Sequence, residues 1–386
     1  MGASSYNLAS YGEMIADRVR AGAFLEALRA VVRPGAVVMD IGTGPGIMAV
    51  EACRLGASRV FAIEPSEVIQ VAREIAAANH CADKIEFFED ISTNITIPVR
   101  ADVIISDLRG ALPLFDHNIP SIADARRRFL APGGTLIGRK DRIWVAIVEA
   151  PERYRQMVGP WDRDFTGQDL SPARRLIVND LHRIRATPGQ LLTSPYLWAT
   201  LDYTQIEDPD VQGESTWTVK RDGTGHGIVI WFDADLADGV CFSNGPESPE
   251  MVYSSMFLPW EEPVSLISGQ IVRVHLYAKL LENNYFWRWV TRVESARAPG
   301  EVHIQFKQSQ LSGTMMSLKK IHKGASDFVP QLSEDGLAQR RTLELMDGKT
   351  SLDEIARRLT SEFPARFVSW QQALTFAAGF SMENSR

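Results

Sequence analysis

The sequence predicts an α/β domain, a parallel sheet covered by helices, followed by a strand-rich domain and a small helical module. Three observations carry this expectation. The short strand Val37-Val38-Met39-Asp40-Ile41 runs straight into the turn Gly42-Thr43-Gly44-Pro45-Gly46, and a small-residue helix follows from Ile47 to Leu55. Up to about residue 142, apolar strands alternate with helical patterns, as in sheets whose strands are joined through helices. From Ile143 the pattern changes to short strands of alternating polarity, and residues 325–386 return to helical spacing.

Composition narrows the class. The chain has 386 residues, 45% of them hydrophobic and 23% charged, with a formal net charge of −7. That balance fits a soluble globular protein and carries no basic footprint for nucleic acid. Cys53, Cys81 and Cys241 are scattered without a CxxC pair, which argues against a disulfide framework or a zinc site, and no metal is expected. The sequence has no uninterrupted apolar membrane span and no signal-peptide pattern, so a cytoplasmic location is expected, with no membrane or nucleic-acid partner.

Each element has its own warrant. A helix is expected from Tyr6 to Val32, where Met14, Ile15, Val19, Phe24, Leu25 and Leu28 recur at helical spacing. Pro34-Gly35 ends it just before the first strand. Val60-Phe61-Ala62-Ile63 reads as the second strand and stops at Glu64; a helix with Val68, Val71, Ala72, Ile75 and Ala76 comes next. Ile85–Phe88 and Ala101–Ser106 are further strands, the latter ending at Asp107. In such sheets ligands sit at the carboxyl ends of the strands, so Gly44, Glu64, Asp90 and Asp107 converge on one edge. Bare glycine N–H groups approach a ligand closely, and the following helix N-terminus favours polar or negative groups. An acid about 20 residues past the turn suits a ribose diol. Dinucleotide-binding domains share these features, but here an acid lies inside the motif and no third glycine stands at the dinucleotide spacing.

That arrangement resembles the class I S-adenosylmethionine-dependent methyltransferases, with a Rossmann-like methyltransferase domain over residues 1–142. Tyr11-Gly-Glu-Met14-Ile15-Ala-Asp17-Arg-Val-Arg20 resembles the cofactor-covering helix of the protein arginine methyltransferases. The resemblance implies S-adenosylmethionine as cofactor, Met14 near the sulfonium and Arg20 on the cofactor carboxylate. Asp40, with Gly42, Gly44 and Gly46, would hold the amino-acid end, Glu64 the ribose, and Asp90 and Ile91 the adenine. Other readings of these residues are Met14 as helix core and Arg20 as a surface charge.

Ser106-Asp107-Leu108-Arg109-Gly110-Ala111-Leu112-Pro113-Leu114-Phe115-Asp116 matches the family's acceptor loop, in which two glutamates clamp a guanidinium. Asp107 and Asp116 stand at those positions and are the candidate catalytic pair with Met14. Aspartate is shorter by a methylene, and Arg109 adds a positive charge inside the loop. The strand-rich region, 143–315, resembles the family's β-barrel, with strands expected over Trp217–Lys220, His226–Asp233, Val252–Leu258, Ile271–Leu280 and Trp287–Val293. Residues 151–180 resemble the helical arm that docks onto a second subunit, which implies a homodimer. Where the family carries a Thr-His-Trp loop, this chain has Met251-Val252-Tyr253; His117 and His226 are alternative proton acceptors, their plainer reading being structural or surface histidines. The C-terminal module, with the capping pattern Ser351-Leu-Asp-Glu354, is similar to winged-helix domains of the PqqD type, which bind leader peptides of ribosomally made, modified peptides. A helical cap is the plainer reading of it.

Three functions stay open on the sequence. The first is an N-methyltransferase acting on a peptide or protein, including a precursor with a leader peptide. The second is a small-molecule N- or O-methyltransferase, and the third a catalytically inactive cofactor-binding protein.

Overall fold

The computed structural model of the chain describes residues 7–162, 167–295, 298, 300–315, 317–323 and 325–385. They form two compact units, Met1–Thr314 and Met315–Arg386. In the first, α1 (Leu8–Ala16) and α2 (Arg18–Val31) replace the single helix expected over Tyr6–Val32. Asp17 breaks it: its backbone is extended, and its carboxylate accepts from the N–H groups of Val19 and Arg20, capping α2. The parallel sheet has the order β3-β2-β1-β4-β5, from β1 (Val37–Ile41), β2 (Arg59–Ile63), β3 (Ile85–Phe88), β4 (Ala101–Ser106) and β5 (Leu130–Ile137). Helices α3 (Ile47–Arg54), α4 (Val68–Ala78) and α5 (Asn118–Arg128) connect its strands. Because β1 and β2 are buried almost throughout, their sequences are mainly apolar rather than alternating, apart from Asp40 and the opening Arg59, as a sheet covered on both faces requires.

β6 (Lys140–Val148) already belongs to the second sheet, so it straddles the boundary expected after residue 142. Between β6 and the next strand lie α6 (Pro151–Val158) and α7 (Ser171–Val178). The remaining strands are β7 (His182–Ile184), β8 (Tyr196–Asp202), β9 (Val211–Thr218), β10 (Gly223–Ala237), β11 (Val240–Ser243), β12 (Ser255–Leu266), β13 (Ile271–Leu281), β14 (Asn284–Glu294) and β15 (Val302–Ser309). They build two antiparallel sheets, β7-β12-β10-β6-β8 with β11 on β10, and β15-β14-β13-β9. Tyr154, Val158 and Val178 of the expected arm pack in one apolar cluster with Val229, Trp231 and Phe257, so both helices lie on this chain's own strands; residues 163–166 of that segment are outside the described ones. Trp217–Lys220 is strand only to Thr218, and Val252–Tyr253 form a loop rather than the start of a strand, because their polar groups bond elsewhere.

The second unit contains helices Glu334–Leu345, Leu352–Glu362 and Trp370–Asn384. Ser351 caps the middle helix by accepting from Glu354 N–H, as its sequence pattern predicts. Its core is Ala338, Leu345, Ile355, Ala356, Leu359, Phe367, Ala373 and Ala377. Small residues at the helix crossings let the backbones approach closely. Among the described residues no helix is long and apolar enough to cross a membrane.

Trp289 on β14 is fully buried and donates its indole N–H to Gln308 Oε1 at 2.9 Å. Trp289→Ala removes that packing and strands the amide, and should cost about 3–5 kcal/mol. Chemical denaturation followed by fluorescence should show the transition midpoint move accordingly.

Candidate functional site

The glycine turn is stitched to the second strand. Gly42 and Thr43 N–H both donate to Ile63 O, at 2.9 and 3.0 Å, which brings the turn beside the carboxyl end of β2. Gly42 and Gly44 have φ of +73° and +52°, a region that residues with a Cβ rarely adopt. Space forbids a side chain as well: a Cβ on Gly42 would lie 2.5 Å from Leu108 Cδ2, and one on Gly44 would lie 2.8 Å from the Tyr11 ring. The turn is thus covered by α1 through Tyr11 and by the loop after β4 through Leu108. Gly46, also left-handed, leads directly into α3.

Two buried acids face this turn. Glu64 accepts from Gly44 N–H at 3.1 Å and from Ser66 N–H and Oγ at 3.0 and 2.6 Å. Asp40 accepts from Thr43 Oγ1 at 2.6 Å. Burial, opposed by the Thr43 bond and reinforced by the nearby negative charge of Glu64, pushes the Asp40 carboxyl up to about 7. Neither acid has a cation paired with it among the described residues. A ligand with a positive charge and a vicinal diol fits that donor set: the charge offsets Asp40 and Glu64, and Glu64 accepts from hydroxyls. S-adenosylmethionine has both groups, so the residues present fit it.

Beside this corner lies a chain of buried charges. Asp107 Oδ2 accepts from Arg20 Nε at 2.7 Å and from the Tyr253 hydroxyl at 2.9 Å, and Arg20 Nη2 lies 2.5 Å away. Asp107 Oδ1 accepts from Arg109 Nη1 at 3.2 Å. Arg109 Nε donates to both Asp141 oxygens, at 3.1 and 2.8 Å, and the Tyr203 hydroxyl donates to Asp141 Oδ2 at 2.6 Å. Burial alone would raise the Asp107 carboxyl, but Arg20 and Arg109 hold it below the usual range. Burial likewise opposes the charge on Arg20, and Asp107 with Tyr253 more than offsets it. The Tyr253 phenol is pushed up by burial and by Asp107, so it stays a donor.

Arg20, Asp40, Gly42, Gly44, Gly46, Glu64 and Asp107 are therefore assembled at the carboxyl edge of the parallel sheet. Met14 reaches it through its carbonyl, which accepts from Arg20 Nη1 at 3.3 Å. Arg20 fills its fork with Asp107, two opposite charges meeting in a buried site across 87 residues. Asp116 makes no hydrogen bond or ion pair with the Asp107 cluster among the described residues. It sits half-buried before α5 with φ +40° and makes no ion pair among the described residues; burial pushes its carboxyl up, opposed by His117. Asp90 accepts from Ile91 N–H and Asn94 Nδ2 in an exposed loop past β3. His226 packs edge-on against Tyr154, with its Nδ1 between Thr224 O and Ala150 N–H, and His117 bonds Asn283.

Sequence reasoning missed Tyr253, Asp141 and Tyr203, and it gave Asp17 no role. Asp17 carries a usable signal, a short acid at a helix start; its second oxygen accepts from Val252 N–H at 2.8 Å and so ties α2 to the loop bearing Tyr253. The others meet the site only across long stretches of chain.

With this geometry, the comparisons fall into place. Residues 22–138 match the family described as ribosomal protein L11 methyltransferase (PrmA), and residues 139–280 match the arginine methyltransferase oligomerization subdomain. Protein arginine N-methyltransferase 1 of Dictyostelium discoideum is 26% identical over 286 residues, 70% of this chain and 84% of that protein. Probable protein arginine N-methyltransferase 6.1 of Oryza sativa subsp. japonica is 30% identical over 61% of each chain. Among solved structures, the Trypanosoma brucei PRMT1 enzyme–prozyme heterotetrameric complex with AdoHcy matches with a TM-score of 0.71 at 20% identity, covering 78% of this chain and 98% of that one. Arabidopsis thaliana protein arginine methyltransferase 10, in an open conformation, matches with a TM-score of 0.69 at 21% identity, covering 78% and 97%. These two likenesses concern the fold.

Asp107→Asn leaves Arg20 and Arg109 buried with one counter-charge fewer, and should destabilise the first unit by about 3–5 kcal/mol in urea titration. The contribution of Asp107 is present above its unfolded pKa of about 4 and is lost as pH falls through its lower folded value. The wild type should therefore lose stability more steeply than the variant when acidified below that point.

Proposed function

We propose that this chain, a protein arginine methyltransferase-like protein that uses S-adenosylmethionine, methylates a nitrogen of a peptide or protein substrate. The observation that supports this best is the adjacency of the two corners, with Leu108 of the acceptor loop lying directly on Gly42 of the cofactor turn. When bound, the cofactor supplies a methyl group on an already activated sulfonium sulfur. What the chain must add is alignment of the acceptor lone pair and an acceptor for its proton.

In this reading Glu64 turns from Gly44 and Ser66 to the ribose hydroxyls, and Asp40 faces the ammonium of the cofactor's amino-acid end. Arg20 is drawn from Asp107 toward the cofactor carboxylate, which an arginine fork matches bidentately. Tyr11 and Met14 close over the turn, and the Asp90–Ile91 edge lines the adenine. Tyr253 stands where the family's barrel loop enters the site and holds Asp107 by its hydroxyl. The unit from Met315 onward recruits the substrate in the manner of a PqqD-type domain, a leader peptide being the occupant its sequence suggests. Helices α6 and α7 form the surface for a second copy of the chain.

Two measurements test this. Cofactor affinity should rise by up to about tenfold per pH unit as Asp40 ionises on approach to pH 7, and level off above it; Asp40→Asn should flatten the profile in calorimetric titrations. Without ligand the sign for folding is opposite: a carboxyl raised to about 7 costs stability progressively as pH climbs from its unfolded value of about 4. Removal of residues 315–386 should leave cofactor binding intact and raise KM for a leader-bearing peptide more than tenfold. Unchanged peptide kinetics on truncation would dismiss the recruitment role.

A further inference from the structure

The sheet β15-β14-β13-β9 buries one face and turns the other to solvent. Trp217, Leu276, Trp287, Trp289 and Phe306 fill the buried face. Side chains alternate along a strand, so the residues between them share the outer face, and there the charge is one-sided. Arg273 and Lys279 of β13, Arg288 and Arg292 of β14 and Lys307 of β15 are all exposed on it. Against these cations the same strands carry only the acids Glu214 and Glu294.

Folding alone does not call for this arrangement. Arg273 and Arg292 stand directly opposite each other in the β13–β14 register, where Cβ atoms are about 4.5–5.5 Å apart and like charges are destabilising. Glu294 relieves Arg273, accepting from its Nε at 3.0 Å. Arg292 has no ion pair among the described residues, and neither has Lys307, which lies opposite Val290, between Arg288 and Arg292. Arg288 lies over the Tyr277 ring, 4.1 Å from its centre, rather than on a carboxylate. Arg288, Lys307 and Arg292 thus form a cluster of like charge in a chain whose net charge is −7. An anionic partner would relieve that repulsion and be oriented by it.

Spacing and the aromatic rings narrow the partner's chemistry. His275 stacks on Tyr277 with ring centres 4.2 Å apart and planes 4° from parallel, while Arg288 covers the same ring at 4.1 Å. Groups that close must take opposite faces of the ring, so Tyr277 offers no platform for a base, which single-stranded nucleic acid uses. Carboxylates on alternate residues of an extended peptide lie about 7 Å apart. That matches the about 7–8 Å between diagonal neighbours across two strands, the relation of Lys307 to Arg288 and to Arg292. We propose that the outer face of β13, β14 and β15 docks an acidic peptide segment of a partner protein, its alternate carboxylates seated on Arg288, Lys307 and Arg292. This surface shares no residue with the strand-end site and stands independently of the methyltransferase reading.

The test uses the full-length protein and three fluorescein-labelled probes of equal length: a peptide alternating glutamate with alanine, its glutamine counterpart, and an oligothymidylate. Anisotropy titrations should show the acidic peptide binding at least about tenfold tighter than the glutamine peptide, and losing affinity as salt rises. Arg292→Gln combined with Lys307→Gln should weaken the acidic peptide by at least about tenfold, whereas Arg54→Gln combined with Arg73→Gln should change it by less than about twofold. Arg54 and Arg73 are exposed cations of α3 and α4 and serve as the control for charge alone. Arg292→Gln removes a like-charge contact with Arg273, so its unfolding midpoint should hold or rise. Equal loss in both pairs, or a glutamine peptide that binds as tightly as the acidic one, overturns the proposal. Tighter binding of the oligothymidylate overturns it in favour of a nucleic-acid surface. A fall in molecular mass on light scattering, seen for the Arg292 and Lys307 pair alone, overturns it in favour of a contact with a second copy of the chain.

Discussion

The structure around the candidate site depends on one shared carboxylate. Asp107, at the end of β4, is held by Arg20 from α2, by Arg109 from its own loop and by Tyr253 from the loop before β12. Three segments of chain, α2, the loop after β4 and the loop before β12, meet at its two oxygens. In a buried setting a charge is tolerated only where opposite charges and donors surround it, so none of these partners can be removed without unsettling the rest. Asp141 and Tyr203 extend the same balance from the parallel sheet into β6 and the turn after β8. The contact between the Rossmann-like sheet and the antiparallel sheets is therefore electrostatic at the site and apolar around it, where Phe24, Phe232, Phe242 and Tyr253 cluster.

The neighbouring corner is balanced differently. Asp40 and Glu64 are both buried and both acidic, and they are held by hydroxyls and backbone N–H groups rather than by cations. Negative charge is in excess there, while the Asp107 cluster pairs two guanidinium groups with two carboxylates. A cofactor that carries a sulfonium, an ammonium and a carboxylate complements both corners at once. Its positive groups would offset Asp40 and Glu64, and its carboxylate would offer Arg20 an alternative to Asp107. In this reading, cofactor binding and the state of the acceptor loop are coupled through Arg20.

Much of this was legible before any coordinates. β1 to β4 follow short, mainly apolar runs interrupted by Asp40, Arg59, Glu86 and Asp102, and the glycine turn and the strand-end acids Glu64 and Asp107 lie where a parallel sheet must present them. Ser351 as a helix cap was equally readable, because capping is a matter of residues three apart. The first helix reads as continuous in the sequence although Asp17 caps α2; apolar spacing on both sides of it outweighs the local signal. Val252 and Tyr253 read as strand in the sequence because apolar residues next to an alternating run look the same whether or not they pair.

Local order in the sequence thus determined the parallel sheet, the turn and the identity of the residues at its edge, since these follow from interactions within a few residues and from strand periodicity. Only the tertiary structure decided which charges pair. Arg20 meets Asp107 across 87 residues, Tyr253 meets it across 146, and Arg109 reaches Asp141 across 32. Such partnerships depend on side-chain direction and on exclusion of water, which no spacing rule encodes. The sequence placed an acid at each end of the acceptor loop. Packing gave one of them two guanidinium partners and left the other without an ion pair among the described residues.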